Sequence, residues 1–319
     1  MEFLASLLAP DFFAAVFRAF VPVCFAALGG LITRRAGILN MALEAMMLWS
    51  ALLGVIFSGY SKIWFPDLPD VACLLIGMVA GILAGLLVSS ILAFFSLKLR
   101  ANNILVGIAL NNMADGGSCY LMFLLLETQS NTETLTSFQF PAVNIPLIQD
   151  IPVIGPILSG HNLMFYLAVL AVILVYIFIF KTPTGLRIRA VGENPDAAES
   201  VGIKVLNIKT MAVLLSGFVT AFGGMYFSMG YMNFFSRNMT AGRGFIALAA
   251  MNLSNANPIG TFFASMLFGF CDGIGTRLST LGAFSTDLIK AIPYAVTMLA
   301  LILYAIIRAR KINKIKSAR

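Results

Sequence analysis

Apolar stretches of bilayer length recur along this chain, near 12–33, 37–58, 71–96, 102–126, 161–180, 210–232, 259–276 and 287–307. A helix of roughly 20 residues crosses a bilayer core. Within lipid a segment must satisfy its own backbone polar groups, which a helix does. The chain therefore reads as all-α, a polytopic transmembrane helix bundle of about 8–10 membrane segments. Composition agrees, because 60% of the 319 residues are hydrophobic and 11% are charged. A soluble domain carries about 25% charged residues, so this chain has too little polar surface to cover a soluble body. A further stretch, 243–253, is too short to cross at about 1.5 Å per residue. It reads as a half-helix, which survives at membrane depth only under protein or beside a water-filled cavity. Residues 1–319 read as one transmembrane domain.

Lys and Arg set the orientation. The tail 308–319 holds Arg308, Arg310, Lys311, Lys314, Lys316 and Arg319, and is expected in the cytoplasm against anionic lipid. The connection 181–209 carries Lys181, Arg187, Arg189, Lys204 and Lys209 and is expected on the same side. Arg34 with Arg35, and Lys98 with Arg100, mark two more inner turns. The connection 127–160 has no Lys or Arg and contains Pro141, Pro146, Pro152 and Pro156, which suits an external loop. Met1–Pro10 has no basic stretch, so the first apolar run reads as a retained helix. The net charge of +7 is gathered at helix ends and in the tail, a pattern that speaks against nucleic acid. Cys24, Cys73, Cys119 and Cys271 lie in apolar segments without metal-ligand spacing, and the single histidine, His161, sits at a span boundary. Gly77, Gly81 and Gly85 form two GxxxG steps, which let helices approach closely in lipid.

Within 181–209 the sequence predicts a short capped helix over Pro195–Val201. Asn194 suits the N-cap, and Pro195 suits the first helical position, where no N–H is needed. Asp196 and Glu199 lie near the positive end of the helix dipole. Gly202 suits the left-handed residue that ends a helix. Alone, so short a helix is marginal in water, and a partner surface would give Ala198 and Val201 somewhere to bury.

The stretch GENPDAAESVGI (192–203) resembles the cytoplasmic coupling loop of bacterial ABC importer permeases of the ribose/branched-chain amino acid superfamily. More narrowly, it is similar to the nucleoside and simple-sugar permeases that work with basic-membrane-protein-type lipoprotein receptors. RRAGILNMALEAMML (34–48), NNILVGIALNNMA (102–114) and MTAGRGFIALAAMNLSNANPIGTFFASMLFGFCDG (239–273) resemble further signatures of that group. The chain departs from the pattern at Ala45, where the family usually has Gly, and in the Asn-rich 252–257 stretch.

The resemblance implies a type II ABC importer-like fold and an ATP-driven permease for a nucleoside or similar small polar solute. A simple sugar or a riboflavin-like vitamin stays open. It implies no cofactor on this chain, with ATP and Mg on a separate ABC ATP-binding subunit. It also implies a second permease chain, non-identical to this one, with a second copy of this chain left open, and an external solute-binding lipoprotein in a bacterial inner membrane. Gly192, Glu193, Asn194, Pro195, Ala197, Ala198, Val201 and Gly202 take the role of ATPase-coupling residues.

Polar side chains at membrane depth are costly and face the bundle interior or a pathway. Asn40 and Glu44, four residues apart, share a helix face. Asn111, Asn112 and Asp115 make a second polar surface; Arg243 opens the short segment and Phe245 follows it. Two readings stand side by side. Asn40, Glu44, Asn111, Asn112, Arg243 and Phe245 line a substrate pathway, with Phe234, Phe235 and Phe245 able to stack on a flat ring. Otherwise these groups are interhelical bonds, for example Glu44 paired with Arg243, and Asp272 near Arg277 is structural. No G-x-x-x-x-G-K-[ST] phosphate loop occurs. An ion-coupled secondary transporter or channel would need ion sites on broken helices and leaves the capped helix unexplained. An intramembrane enzyme has only one His and no HExxH to work with.

Overall fold

The computed structural model describes residues 10–135, 137–143 and 159–280, with four helical positions beyond them at 295, 298, 299 and 302. Ten helices can be named in this part of the chain: α1 (Pro10–Arg35), α2 (Leu43–Trp64), α3 (Asp70–Ala93), α4 (Asn103–Leu126), α5 (Leu163–Lys181), α6 (Pro183–Glu193), α7 (Pro195–Ser200), α8 (Val205–Met225), α9 (Arg243–Leu253) and α10 (Pro258–Thr280). Wider π-type turns extend α3 through Phe94–Lys98 and α8 through Tyr226–Tyr231. The four cysteines are free thiols, three of them buried, in keeping with small core hydrophobes.

Six described helices are long and apolar enough to cross a membrane: Phe12–Arg35, Leu43–Trp64, Asp70–Lys98, Leu163–Lys181, Val205–Tyr231 and Pro258–Leu278. The fourth expected span, α4, has 24 residues, enough to cross at about 1.5 Å per residue. Asn111, Asn112 and Asp115 lower its apolarity. The expected span 287–307 lies outside the described residues apart from the four isolated positions, and the tail 308–319 lies wholly outside them.

The α1 helix is the central strut. Phe20, Val21, Cys24, Ala26, Ala27, Leu28 and Leu31 on it are all buried, and it packs against α8, α10, α9 and α5. α3 lies against α2 and α8 through the glycine stripe read from the sequence. A Cβ on Gly77 would fall 2.5 Å from the Gly54 carbonyl, and one on Gly85 would fall 2.8 Å from that of Gly217. The backbones touch there, so any side chain would force the helices apart.

The expected span 37–58 is corrected at its start. Residues 37–42 form no helix, and α2 begins at Leu43. The side chain of Asn40 takes the Ala42 N–H at 2.9 Å, a local bond that competes with helix formation.

The described parts of 127–160 are tied to the segment after α8. Thr132 N–H donates to the Phe235 carbonyl at 2.9 Å, and Phe140 N–H donates to that of Met229 at 2.8 Å. A two-residue antiparallel pairing joins Ala142–Val143 to His161–Asn162, and the His161 ring packs edge-on against Phe17 at 5.1 Å.

Candidate functional site

Two structures stand out: a half-helix capped by another helix, and a pair of short helices at one end of the bundle. The 243–253 segment is α9, with the bounds the sequence predicts. Its N-cap, Gly242, is left-handed at φ 77 and has no side chain to cap the first turn. Glu44 of α2 does so instead. One carboxylate oxygen accepts from Gly242 N–H at 2.8 Å and the Thr240 hydroxyl at 2.5 Å, while the other accepts from Gly244 N–H at 2.6 Å. A negative group here meets both the orphan N–H groups and the positive end of the helix dipole. The approach requires Gly244, because a Cβ there would lie 2.6 Å from Glu44 N.

The same device holds α2. Its N-cap, Ala42, offers no side-chain acceptor, so Asn111 of α4 accepts from Ala45 N–H at 3.0 Å and donates to the Met41 carbonyl at 2.9 Å. Ala45, where the resembling permeases usually carry Gly, is fully buried. Asn40, 1% exposed, donates to the Ser216 hydroxyl of α8 at 2.9 Å. The structure thus brings Asn40, Glu44 and Asn111 together as interhelical caps around residues 40–45.

The expected Glu44–Arg243 pair does not form. Both Glu44 oxygens are occupied by donors from the start of α9, and Arg243 turns toward α10. Its guanidinium meets the Asp272 carboxylate at 3.1 Å and lies over the Phe227 ring at 5.1 Å. This pair borders a cavity of about 140 Å³ that also receives Arg18, Tyr226, Tyr231 and Thr276. Sequence reasoning passes over Arg18, although it is the one charge inside the 12–33 apolar run. Its side chain is exposed and its guanidinium lies over Tyr231 at 5.2 Å. An exposed arginine at this depth belongs in a wet cavity rather than in lipid.

On α4, Asn112 faces outward from the bundle, and Asp115 has one buried carboxylate oxygen with no hydrogen-bond partner among the described residues. Of the three phenylalanines considered for stacking, Phe235 is fully buried and unavailable, Phe234 is half-buried, and Phe245 is 42% exposed.

At the other end of α1, the 181–209 connection holds two helices where the sequence suggests one. Asn194 caps α7 by accepting from Ala197 N–H at 3.0 Å. Gly202 sits at φ 82, and Ile203 N–H closes the end on the Ala198 carbonyl at 3.1 Å. The preceding α6 is built the same way: Thr182 accepts from Gly185 N–H at 3.1 Å, and Pro183 opens the helix. The dipeptide Thr182–Pro183 repeats the Asn194–Pro195 signal and marks this helix in the sequence.

Ala198 is 3% exposed, already buried by its own chain, so it is not free for a partner. Val201, 74% exposed, and Ala197 remain outward. Gly192, near the end of α6, presses on the end of α1, where a Cβ would fall 2.0 Å from the Arg35 carbonyl. Gly37 lies against Gly192 on the same side, its N 3.1 Å from where that Cβ would fall.

Comparison with known proteins places the chain in a family. The family described as "Branched-chain amino acid transport system / permease component" matches residues 12–303. The chain is 35% identical over 287 residues to the nucleoside ABC transporter permease protein NupC of Lactococcus lactis, covering 89% of this chain and 88% of that one. It is 33% identical over 286 residues to the guanosine ABC transporter permease protein NupQ of Bacillus subtilis, covering 88% and 87%. It is 27% identical over 335 residues to the putative glucose ABC transporter permease protein TsgC13 of Haloferax volcanii, covering 98% and 95%.

Proposed function

This chain belongs to the branched-chain amino acid transport system permease family, and from that premise we propose how it moves its solute and which solute it moves. It is the membrane-spanning permease subunit of an ABC importer for nucleosides or similar solutes, and ATP is used by a separate subunit.

The solute we propose is a nucleoside, on the strength of two relatives above 30% identity whose names specify nucleoside and guanosine. The glucose permease relative keeps a simple sugar as the second reading. Both solutes carry hydroxyls that the Arg18, Tyr231, Arg243 and Asp272 cavity can hydrogen-bond. A nucleoside adds a flat base that an outward ring such as Phe245 can stack on.

The observation that carries the mechanism is the chain of direct contacts from α7 to α9. The outward Val201 and Ala197 offer an apolar face to the ATP-binding subunit. Movement of α6 and α7 passes to α1 and to residues 37–42 through the Gly192–Gly37 backbone contact. The Asn111 and Glu44 caps pass it on to the start of α9, and Arg243 is displaced relative to Asp272. Each link is a packed or hydrogen-bonded pair, the kind of contiguous network that carries coupling.

Asn112, exposed on α4, supports a second permease chain, or a wet pathway shared with it, over the α4 face. Polar groups facing lipid there would cost several kcal/mol, at roughly 2.5–3.5 per charged residue. An external solute-binding lipoprotein delivers the solute, and 308–319 lies in the cytoplasm of a bacterial cell. The test is uptake of labelled guanosine, adenosine, uridine and glucose by cells with and without this chain. Nucleoside uptake that needs the chain supports the reading, and glucose uptake alone replaces it with the second one.

A further inference from the structure

At the end of the bundle that carries α6 and α7, an open polar cavity of about 440 Å³ is lined by Arg34 and Arg35 of α1, Arg189 and Glu193 of α6, and the Asn255–Ala256 turn. Three arginines and one carboxylate line it. Arg35 is held in place, because its Nε donates to the Ala256 carbonyl at 2.7 Å and its guanidinium lies over the Phe180 ring at 5.3 Å. Arg189 lies over the same ring at 5.1 Å, and its Nε is buried without an acceptor. Arg34 is exposed at the rim. Among the described residues none of the three forms an ion pair; the two pairs found involve Lys62 with Asp70 and Arg243 with Asp272. Beyond the described residues, 308–319 contains Arg308, Arg310, Lys311, Lys314, Lys316 and Arg319 and no Asp or Glu, so its side chains cannot neutralise the cluster.

Like charges gathered around one cavity, with a buried donor left open, make a socket for an anion. Guanidinium forks match the paired oxygens of a phosphate group. We infer that this cavity is a phosphate-binding site, filled either by a phospholipid headgroup at the membrane surface or by a free phosphate compound. The inference does not depend on which solute is transported. A bound phosphate would bridge α6 to α1 beside the Gly192 contact, so its occupancy would bear on how α6 moves.

The test uses the full chain in detergent. Inorganic phosphate and a short-chain phosphatidylglycerol are each titrated against chloride at matched ionic strength, with thermal unfolding as the readout. The expected result is saturable stabilisation by a phosphate-bearing probe. Arg34→Gln and Arg189→Gln weaken it by about tenfold in apparent affinity, the size expected when one charge-assisted hydrogen bond is lost. Glu193→Gln strengthens it, a change that damage to the fold does not produce and that decides the matter if Arg189→Gln fails to fold. Binding of inorganic phosphate at lower concentration than the lipid assigns the site to a free phosphate, and the reverse assigns it to a headgroup. Stabilisation no greater than with chloride, or affinity unmoved by Glu193→Gln, overturns the inference.

Discussion

The Glu44 carboxylate accepts the Gly244 N–H at 2.6 Å, joining two residues 200 positions apart in the chain. It makes one helix the cap of another. Without it, the first turn of α9 has no side-chain acceptor of its own.

Removing this cap should be costly. Glu44→Ala is expected to destabilise the chain by about 3 kcal/mol, because charge-assisted bonds contribute roughly 1.5–3 kcal/mol each and the donors are left unpaired. Glu44→Gln keeps an acceptor and should cost less. Gly244→Ala should be comparably damaging, since its methyl would strike the Glu44 backbone. Thermal unfolding in detergent ranks the three.

Asn111 and Asn112 are neighbours with different work. Asn111→Ala loses both bonds to the start of α2 and should cost about 2 kcal/mol. Asn112 faces outward, so Asn112→Ala should leave stability within about 0.5 kcal/mol of the original while altering uptake. A stability loss at Asn112 matching that at Asn111 would place both in the fold and remove Asn112 from the pathway.

Arg243 and Asp272 should behave as a unit. Their side chains are partly exposed, at 23% and 34%, so solvent screening limits their coupling to about 1 kcal/mol. A double-mutant cycle with Arg243→Ala and Asp272→Ala measures it. Non-additive effects on uptake larger than those on stability would tie the pair to transport.

The local features of this fold were legible, and the distant ones were not. The α7 cap follows from Asn194–Pro195 because capping is chemistry between near neighbours. The α9 bounds follow from the length of an apolar stretch. α6 carries the same local signal at Thr182–Pro183, but the charges around it give the segment the look of a plain connection. The start of α2 was not readable, because Ile38 and Leu39 continue the apolar run while Asn40 turns the backbone out of helix. Opposite charge suggested Glu44 with Arg243. The fold instead spends the carboxylate on backbone donors, a choice that depends on Gly242 and Gly244 lying beside α2.

The two short helices offer a separation of folding from coupling. Asn194→Ala removes the α7 cap and should loosen that helix by about 1 kcal/mol, with little effect on the spans. Val201→Asp places a charge on an exposed face and should leave stability unchanged within about 0.5 kcal/mol, while it weakens docking of the ATP-binding subunit. Co-purification of the two subunits reads the second effect directly.

The central claim is that transport is driven through this end of the bundle, and ATP-dependent nucleoside uptake by cells carrying Val201→Asp tests it most directly. The account predicts normal levels of folded protein in the membrane and uptake reduced at least about tenfold, the effect of losing roughly 1.4 kcal/mol of docking free energy. Uptake equal to that of the unaltered chain, with the protein present at the same level, would contradict it.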